Sequence, residues 1–246
     1  MMKSLSVGIA LALATSSLMA ADLEGRLAYE QSADLAFGSV GIVSEVMVKL
    51  GDQVKKGDAL AKLDDRAYKA AAKAAALNLD AASLSYEEAK REYDRAQEMY
   101  DRTALSEHER VIAEIAVRRA DVEYAQVQAV STEAQMALEQ ATIKAPFDGV
   151  VSWVEVGLGE YVNNSLAVNA QVGVVNTGSM IVSANIAAED AAKIGQSVSV
   201  SAGGKSLSVE SVSVSVEADQ AGTYPVVVRV KAAEGLRAGQ AAIISY

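Results

Sequence analysis

A segment of fourteen residues occurs twice in this chain, and the two copies start 108 residues apart. The first copy runs from Gly41 to Val54 and the second from Gly149 to Val162, and eight of the fourteen aligned positions are identical. The shared residues are a leading glycine, valines that alternate at the period of a half-buried strand, and a glycine beside an acidic residue at a turn. Two copies of one strand-turn unit predict a single small pseudo-symmetric β domain.

The residues between the two copies have the periodicity of a helix. Apolar side chains recur in steps of four and three over 68–100 and, after an interruption at 103–106, over 113–141. Ser106 is a candidate N-cap for the second helix, with Glu109 as its capping-box partner. Two helices joined by a few residues predict an antiparallel coiled-coil hairpin, and about 35 residues at ~1.5 Å each give a rod of roughly 50 Å. A spacer that contacts no partner is the alternative interpretation.

The predicted contact line contains large and small side chains in alternation. Its positions are Tyr68, Ala72, Ala75, Leu79, Ala82, Tyr86, Ala89, Tyr93, Ala96 and Tyr100 in the first helix, and Ala113, Val117, Ala120, Tyr124, Val127, Ser131, Ala134, Leu138 and Ala141 in the second.

The N-terminal segment has the pattern of an export signal. Residues 1–20 contain one charge, Lys3, followed by an apolar run and small residues at the end, which predicts a secretory signal peptide. An uncleaved membrane anchor is the alternative. The chain has no cysteine, which excludes disulfides, thiolate metal sites and a lipid-modified N-terminal cysteine. The net charge of −10 argues against nucleic acid as a partner, because phosphate binding needs a basic surface.

The last 70 residues contain evenly spaced short strands. The predicted strands are 181–186, 197–201, 207–217, 224–230 and 241–246, separated by glycine turns. This pattern is typical of a small closed barrel, and an open sandwich is the alternative. The predicted organisation is a signal peptide (1–20), N-terminal strands that join the barrel (21–37), the first half of the duplicated domain (38–64), the helical hairpin (65–140), the second half (141–177) and the barrel (178–246).

No pattern in the sequence indicates catalysis or a bound cofactor. The single histidine, His108, lies between glutamates near the predicted helix connection, where solvation is a better interpretation than a metal ligand. Phosphate loops, nucleophile elbows and zinc-binding helix signatures are absent from the sequence. We therefore expect neither enzymatic activity nor cofactor or metal sites.

The duplicated unit resembles the biotinyl/lipoyl carrier fold, and the whole arrangement resembles the periplasmic adaptors, or membrane fusion proteins, of Gram-negative tripartite efflux pumps. The strongest segments are 51–64 and 141–151, and the barrel turns at 195–198 and 236–241 are also similar to the family. The resemblance implies an elongated α+β multidomain fold: a split lipoyl-like domain, an antiparallel α-helical coiled-coil hairpin and a small β-barrel. A complete membrane-proximal domain is not expected. A lipoyl or biotinyl carrier is disfavoured because the helices occupy the place of the carrier's lysine turn.

The resemblance also implies partners. The family often carries arginine, leucine and serine at the hairpin tip in contact with the outer-membrane channel, and Arg95, Met99 and Ser106 have that spacing, with methionine in place of leucine. Ordinary tip solvation and a helix cap are the alternative. The implied function is that of an untethered periplasmic adaptor between a resistance-nodulation-division (RND) transporter and a TolC-type channel, assembled as a ring that is expected to be a hexamer. An ABC exporter is the alternative transporter.

The signal peptide is directly testable. If residues 1–20 are removed on export, the mature protein begins near Ala21 or Asp22 and fractionates with the soluble periplasm. N-terminal sequencing of the purified protein checks this expectation. Recovery of Met1 from washed membranes would instead establish an anchor.

Overall fold

A computed structural model describes residues 22–163, 169–191, 194 and 198–246 of the protein. The predicted signal peptide (1–20) and most of the predicted barrel turn at 195–198 lie outside these residues. The chain divides into two compact units: residues 31–177, and a unit in which the segment ending at Glu30 joins Gly178–Tyr246. Within the described ranges, no helix has the length and apolar character needed to cross a membrane.

The helices and strands are, in chain order, β1 (Asp22–Tyr29), β2 (Ser32–Leu35), β3 (Gly41–Val46), β4 (Gln53–Val54), β5 (Ala59–Leu63), α1 (Arg66–Asp101), α2 (Glu107–Gln140), β6 (Thr142–Lys144), β7 (Gly149–Val154), β8 (Tyr161–Val162), β9 (Val172–Val175), β10 (Ser179–Ala187), α3 (Ala188–Ala191), β11 (Ser199–Ala202), β12 (Lys205–Leu207), β13 (Val209–Val214), β14 (Thr223–Lys231) and β15 (Ala241–Ser245).

The two repeat copies form one β domain by exchanging strands. Its two four-stranded sheets have the orders β2-β9-β7-β4 and β6-β5-β3-β8. The short strand β4 of the first copy pairs with β7 of the second, and β8 of the second copy pairs with β3 of the first. The alternating valines Val43 and Val151 are buried in the shared core, as the period of two requires. Neither copy can therefore complete its sheet without the other.

The predicted assignment of residues 21–37 to the barrel is wrong for its second half. The range 21–37 was expected to join the barrel as a whole, but only β1 lies in the barrel sheet, between β10 and β15. Strand β2 pairs with β9 of the duplicated domain, and Phe37 is buried in that domain's core. The division falls between Glu30 and Gln31 because the hydrogen bonds of β2 and the burial of Phe37 both belong to the duplicated domain.

The two long helices pack against each other in opposite directions. The rings of Tyr86 and Tyr124 stack with centroids 5.9 Å apart, and the Arg110 guanidinium lies over the Tyr100 ring at 5.6 Å. Every predicted contact position is buried or half-buried except Tyr100, which is 37% exposed. Small residues such as Ala75 and Ala82 are among the most buried, which permits close approach of the helix axes. The supercoil suggested by the heptad spacing stays a prediction.

Hydrogen bonds tie the base of the helices to the β domain. The Tyr68 hydroxyl donates to the Val40 carbonyl at 2.7 Å, and the Ser39 hydroxyl donates to the Ala137 carbonyl at 2.7 Å. The Gly38 amide donates to the Gln140 carbonyl at 3.2 Å. Residues 38–40 thus contact both helices, and these bonds restrict the angle at which the helices leave the domain.

The second unit is one curled sheet of seven strands in the order β12-β11-β15-β1-β10-β14-β13. Its two edge strands, β12 and β13, are consecutive in the chain, and only Ser208 separates them. The sheet therefore wraps until a bend in the chain joins its edges around a core that includes Leu27, Val228 and Ile244. The single strand predicted over 207–217 is wrong: Leu207 pairs with β11, and the chain then crosses to β14 from Val209 onward and ends its pairing at Val214.

A buried charge should separate the helices without unfolding the sheets. Ala82 is 8% exposed on the contact line, so Ala82→Asp places a carboxylate where it has no partner and should destabilise the helix pair by roughly 2–4 kcal/mol. Circular dichroism at 222 nm should show a lower thermal midpoint. Ala81→Asp, on the exposed face one residue away, is the matched control, and equal effects of the two would refute the contact line.

Candidate docking site at the helix tip

The connection between the helices is a short turn held by backbone hydrogen bonds. Helix α1 ends at Asp101, and the amides of Thr103 and Ala104 donate to the carbonyls of Tyr100 (2.8 Å) and Met99 (2.9 Å). This is the Schellman pattern, which requires a left-handed residue after the helix. Thr103 takes that conformation with φ of 57° although it is not glycine. The tip therefore has a defined backbone geometry.

Ser106 begins the second helix as predicted. Its hydroxyl oxygen accepts a hydrogen bond from the Glu109 amide at 3.3 Å, and the Glu109 carboxylate accepts from the Ser106 amide at 3.1 Å. The predicted N-cap and its capping box are thus confirmed. The hydroxyl also donates to this carboxylate at 2.6 Å, and these bonds lower the pKa of Glu109. In the isolated protein, the Ser106 hydroxyl therefore already forms hydrogen bonds with Glu109 of its own helix.

Arg95 and Met99 lie in the last two turns of α1, four residues apart and hence on neighbouring parts of one face. The Arg95 side chain is 63% exposed, and its Nη1 lies 2.7 Å from Glu92 Oε1. Met99 is 40% exposed. The structure places both residues and Ser106 at the same end of the helix pair, and contact with a partner stays a proposal. A surface ion pair of this kind contributes little stability, so it opposes an intermolecular contact only weakly.

The sequence reasoning missed a charged cluster that stiffens the tip. Arg110 lies over the Tyr100 ring and also pairs with Glu114, whose carboxylate lies 3.1 Å from it. Arg118 contacts the same carboxylate at 2.7 Å, and the two arginine hydrogen bonds lower the pKa of Glu114. The spacing of four residues was visible in the sequence. The contact of Arg110 with the Tyr100 ring was not visible in the sequence, because it depends on the relative position of the two helices.

Two other sequence interpretations concern chemistry. His108 is exposed in the first turn of α2, and no group of three or more metal-ligating side chains occurs in the described part of the chain. The carrier interpretation concerns the lysines near the junction of β5 and α1, and Lys62 lies on β5 with its Nζ 2.9 Å from Asp65. Lys69 contacts the same carboxylate from α1, so both lysines serve the junction of strand and helix.

Comparison with known proteins decides the family. Residues 31–172 match the family of CzcB-like barrel-sandwich hybrid domains, and this match covers more than half of the chain. The chain belongs to this family. The sequence-based identification as a membrane fusion protein is confirmed.

Solved structures share this fold across almost the whole chain. The membrane fusion protein Spr0693 from Streptococcus pneumoniae R6 aligns with a TM-score of 0.65 and 20% identity, over 92% of this chain and 98% of that one. A MacA-MexA chimera that contains the Pseudomonas aeruginosa MexA α-hairpin domain aligns with a TM-score of 0.64 and 24% identity, over 92% and 80%. ZneB from Cupriavidus metallidurans aligns with a TM-score of 0.57 and 20% identity, over 92% and 69%.

A sequence relative comes from Haemophilus influenzae and is described only as an uncharacterized protein. It is 31% identical over 164 residues, which are 67% of this chain. This chain spans 38% of the length of that relative.

The cap makes a prediction that is independent of any partner. Ser106→Ala removes the hydroxyl and should destabilise the start of α2 by about 1 kcal/mol. Hydrogen exchange of the amides at 107–110 should accelerate correspondingly. Ser106→Asp keeps a capping oxygen and is the control, and identical exchange in both variants would show that the cap contributes nothing.

Proposed function

We propose that this protein is the periplasmic adaptor of a tripartite efflux pump, which exports small toxic compounds such as drugs. It links an RND-type inner-membrane transporter to a TolC-type outer-membrane channel. The observation that carries the proposal is the long helix pair with an ordered, solvent-exposed tip in a chain of the membrane fusion family. The protein performs no chemistry in this role, and it acts by holding two membrane proteins in register.

The tip has the properties of a docking surface. Arg95 offers a guanidinium to carboxylate or carbonyl groups, and Met99 offers an adaptable apolar contact. The Schellman turn and the capping box hold the backbone of the helix connection in one conformation. Little conformational entropy is therefore lost on binding. Met99 and Arg95 can contact the channel without disturbing the helix contact line, because neither belongs to it.

Self-association is supported by apolar residues on the outer edges of the helices. Leu77 and Leu84 of α1 are 60% and 67% exposed and lie seven residues apart, opposite the contact line. Helix α2 exposes Ile115, Val122 and Met136, also at intervals of seven or fourteen. Two different apolar edges on one subunit favour head-to-tail association, which forms a ring when the rotation closes. We propose such a ring, with a hexamer as the expected state.

The location follows from the sequence pattern and the proposed partners. Export by the segment 1–20 would deliver the chain to the periplasm, and association with its transporter would hold it at the inner membrane. The barrel is proposed to provide the transporter contact.

The tip assignment is tested by charge reversal. Arg95→Asp should abolish efflux complementation and cross-linking to the channel, because the same unfavourable charge recurs in every subunit of the ring. Thermal unfolding and transporter binding should stay near wild type, since exposed positions change stability by only about 0.5 kcal/mol. Met99→Leu, of similar volume, should be tolerated.

A matched control lies at the other end of the same helix. Arg66 is also exposed and also pairs with a nearby carboxylate, Asp64, which lowers the pKa of Asp64 to about 2. Arg66→Asp makes the same charge change far from the tip and should leave channel cross-linking intact. Normal efflux by Arg95→Asp, or equal loss in both variants, would contradict docking through the tip.

A further inference from the structure

A cleft opens on the duplicated domain beside the end of β7. Its volume is about 560 Å³, the size of a small-molecule site, and its lining includes Trp153, Glu155, Glu160, Tyr161 and Gln171. Trp153 and Glu155 point to the same side of the chain, because Val154 between them packs against the core. The Glu155 amide donates to the Gln171 carbonyl at 2.9 Å and so continues the pairing of β7 with β9. The floor of the cleft is therefore the outer face of a sheet.

The side chain of Gln171 provides a fixed hydrogen-bond donor to this cleft. Gln171 is only 7% exposed, and its Oε1 accepts a hydrogen bond from the Phe37 amide at 3.1 Å. A backbone amide can only donate, so the oxygen faces Phe37 and Nε2 is left for the cleft. No described residue accepts a hydrogen bond from this Nε2. A nearly buried donor without an acceptor is unfavourable, and a ligand that carries an acceptor would satisfy it.

Two aromatic side chains border the same cleft. Trp153 lies opposite Gly173 of β9, and a Cβ at position 173 would collide with the indole nitrogen. The indole ring therefore lies across Gly173, which holds it in place while the ring stays half-buried. Tyr161 of β8 is 63% exposed, so most of its ring is accessible. Accessible indole and phenol rings attract cations through their π electrons.

The charge of the cleft is negative and is not balanced nearby. Glu155 is exposed and forms no ion pair with another described residue. Glu160 accepts a hydrogen bond from the Gly157 amide at 2.9 Å, which fixes its carboxylate without neutralising it. Residues 31–48 and 145–177, which supply β2, β3, β7, β8 and β9, contain no lysine or arginine. The basic side chains at the junction of β5 and α1 already pair with Asp64 or Asp65, and they are Lys62, Arg66 and Lys69.

We propose that this cleft binds an organic cation, namely a quaternary ammonium or protonated amine that also carries a hydrogen-bond acceptor. The Glu155 carboxylate and the rings of Trp153 and Tyr161 attract the positive charge. Nε2 of Gln171 donates to the acceptor of the ligand. Binding needs only the duplicated domain. The use of the site in export rests on the proposed function, and there it favours cations among the exported compounds.

Fluorescence titration of the purified full-length protein tests the site directly, because Trp153 is the single tryptophan of the chain and lies in the cleft. The probe is benzoylcholine, which carries a quaternary ammonium, an ester carbonyl and a ring. Its control is the uncharged isostere in which a tert-butyl group replaces the trimethylammonium group. We expect saturable quenching by benzoylcholine and at least about tenfold weaker binding of the isostere. Equal affinity for both compounds would overturn the proposal.

Substitutions assign the roles of the side chains. Glu155→Gln removes one charge at almost constant shape and should weaken benzoylcholine binding roughly threefold to tenfold. Glu45→Gln makes the same change at an exposed position on β3 outside the cleft lining, and it should bind like wild type. An analogue with a methylene chain in place of the ester should bind roughly threefold to tenfold more weakly to the wild-type protein, because Gln171 then has no acceptor. Equal affinities of Glu155→Gln and Glu45→Gln would contradict the site.

Efflux measurements separate this inference from the proposed function. Cells that carry Glu155→Gln should lose resistance to quaternary ammonium compounds and keep resistance to uncharged ones, whereas Glu45→Gln should keep both. If Arg95→Asp abolishes efflux while the purified wild-type protein binds benzoylcholine no better than its isostere, the adaptor function stands and the cation site is wrong. If the purified protein prefers the cation while Arg95→Asp supports normal efflux, the cation site stands and docking through the tip is wrong.

Discussion

The exchange of strands between the two repeat copies is the constraint on which the duplicated domain and the helices depend. Strand β4 pairs with β7, and β8 pairs with β3. The sheet of each copy is therefore incomplete without a strand that lies about a hundred residues away in the chain. This brings the end of β5 beside the start of β6, where the Leu63 amide donates to the Ala141 carbonyl at 2.9 Å. The two helices between these points must therefore begin and end together, and an antiparallel pair satisfies that requirement.

The same geometry explains how a thin pair of helices can hold its base and its tip in defined positions. An alanine-rich contact line buries little area per turn, so the helix pair gains only modest stability from its own packing. The Tyr68, Ser39 and Gly38 hydrogen bonds fix its base, and the capping box and the Arg110 contact with Tyr100 fix its tip. Specific contacts thus hold both ends of the helix pair, where the helices meet the β domain and, in the proposed function, the channel.

Local patterns predicted much of this structure, and non-local contacts account for what they missed. The repeat, the apolar periodicity of the helices and the Ser106–Glu109 capping box are readable from the sequence, and the structure contains the shared β domain, the two helices and the cap. The placement of β2 beside β9 was missed because a four-residue strand has no periodicity that distinguishes one sheet from another. The bend at Ser208 was missed because Leu207 and Val209 continue one apolar alternation while pairing with different strands.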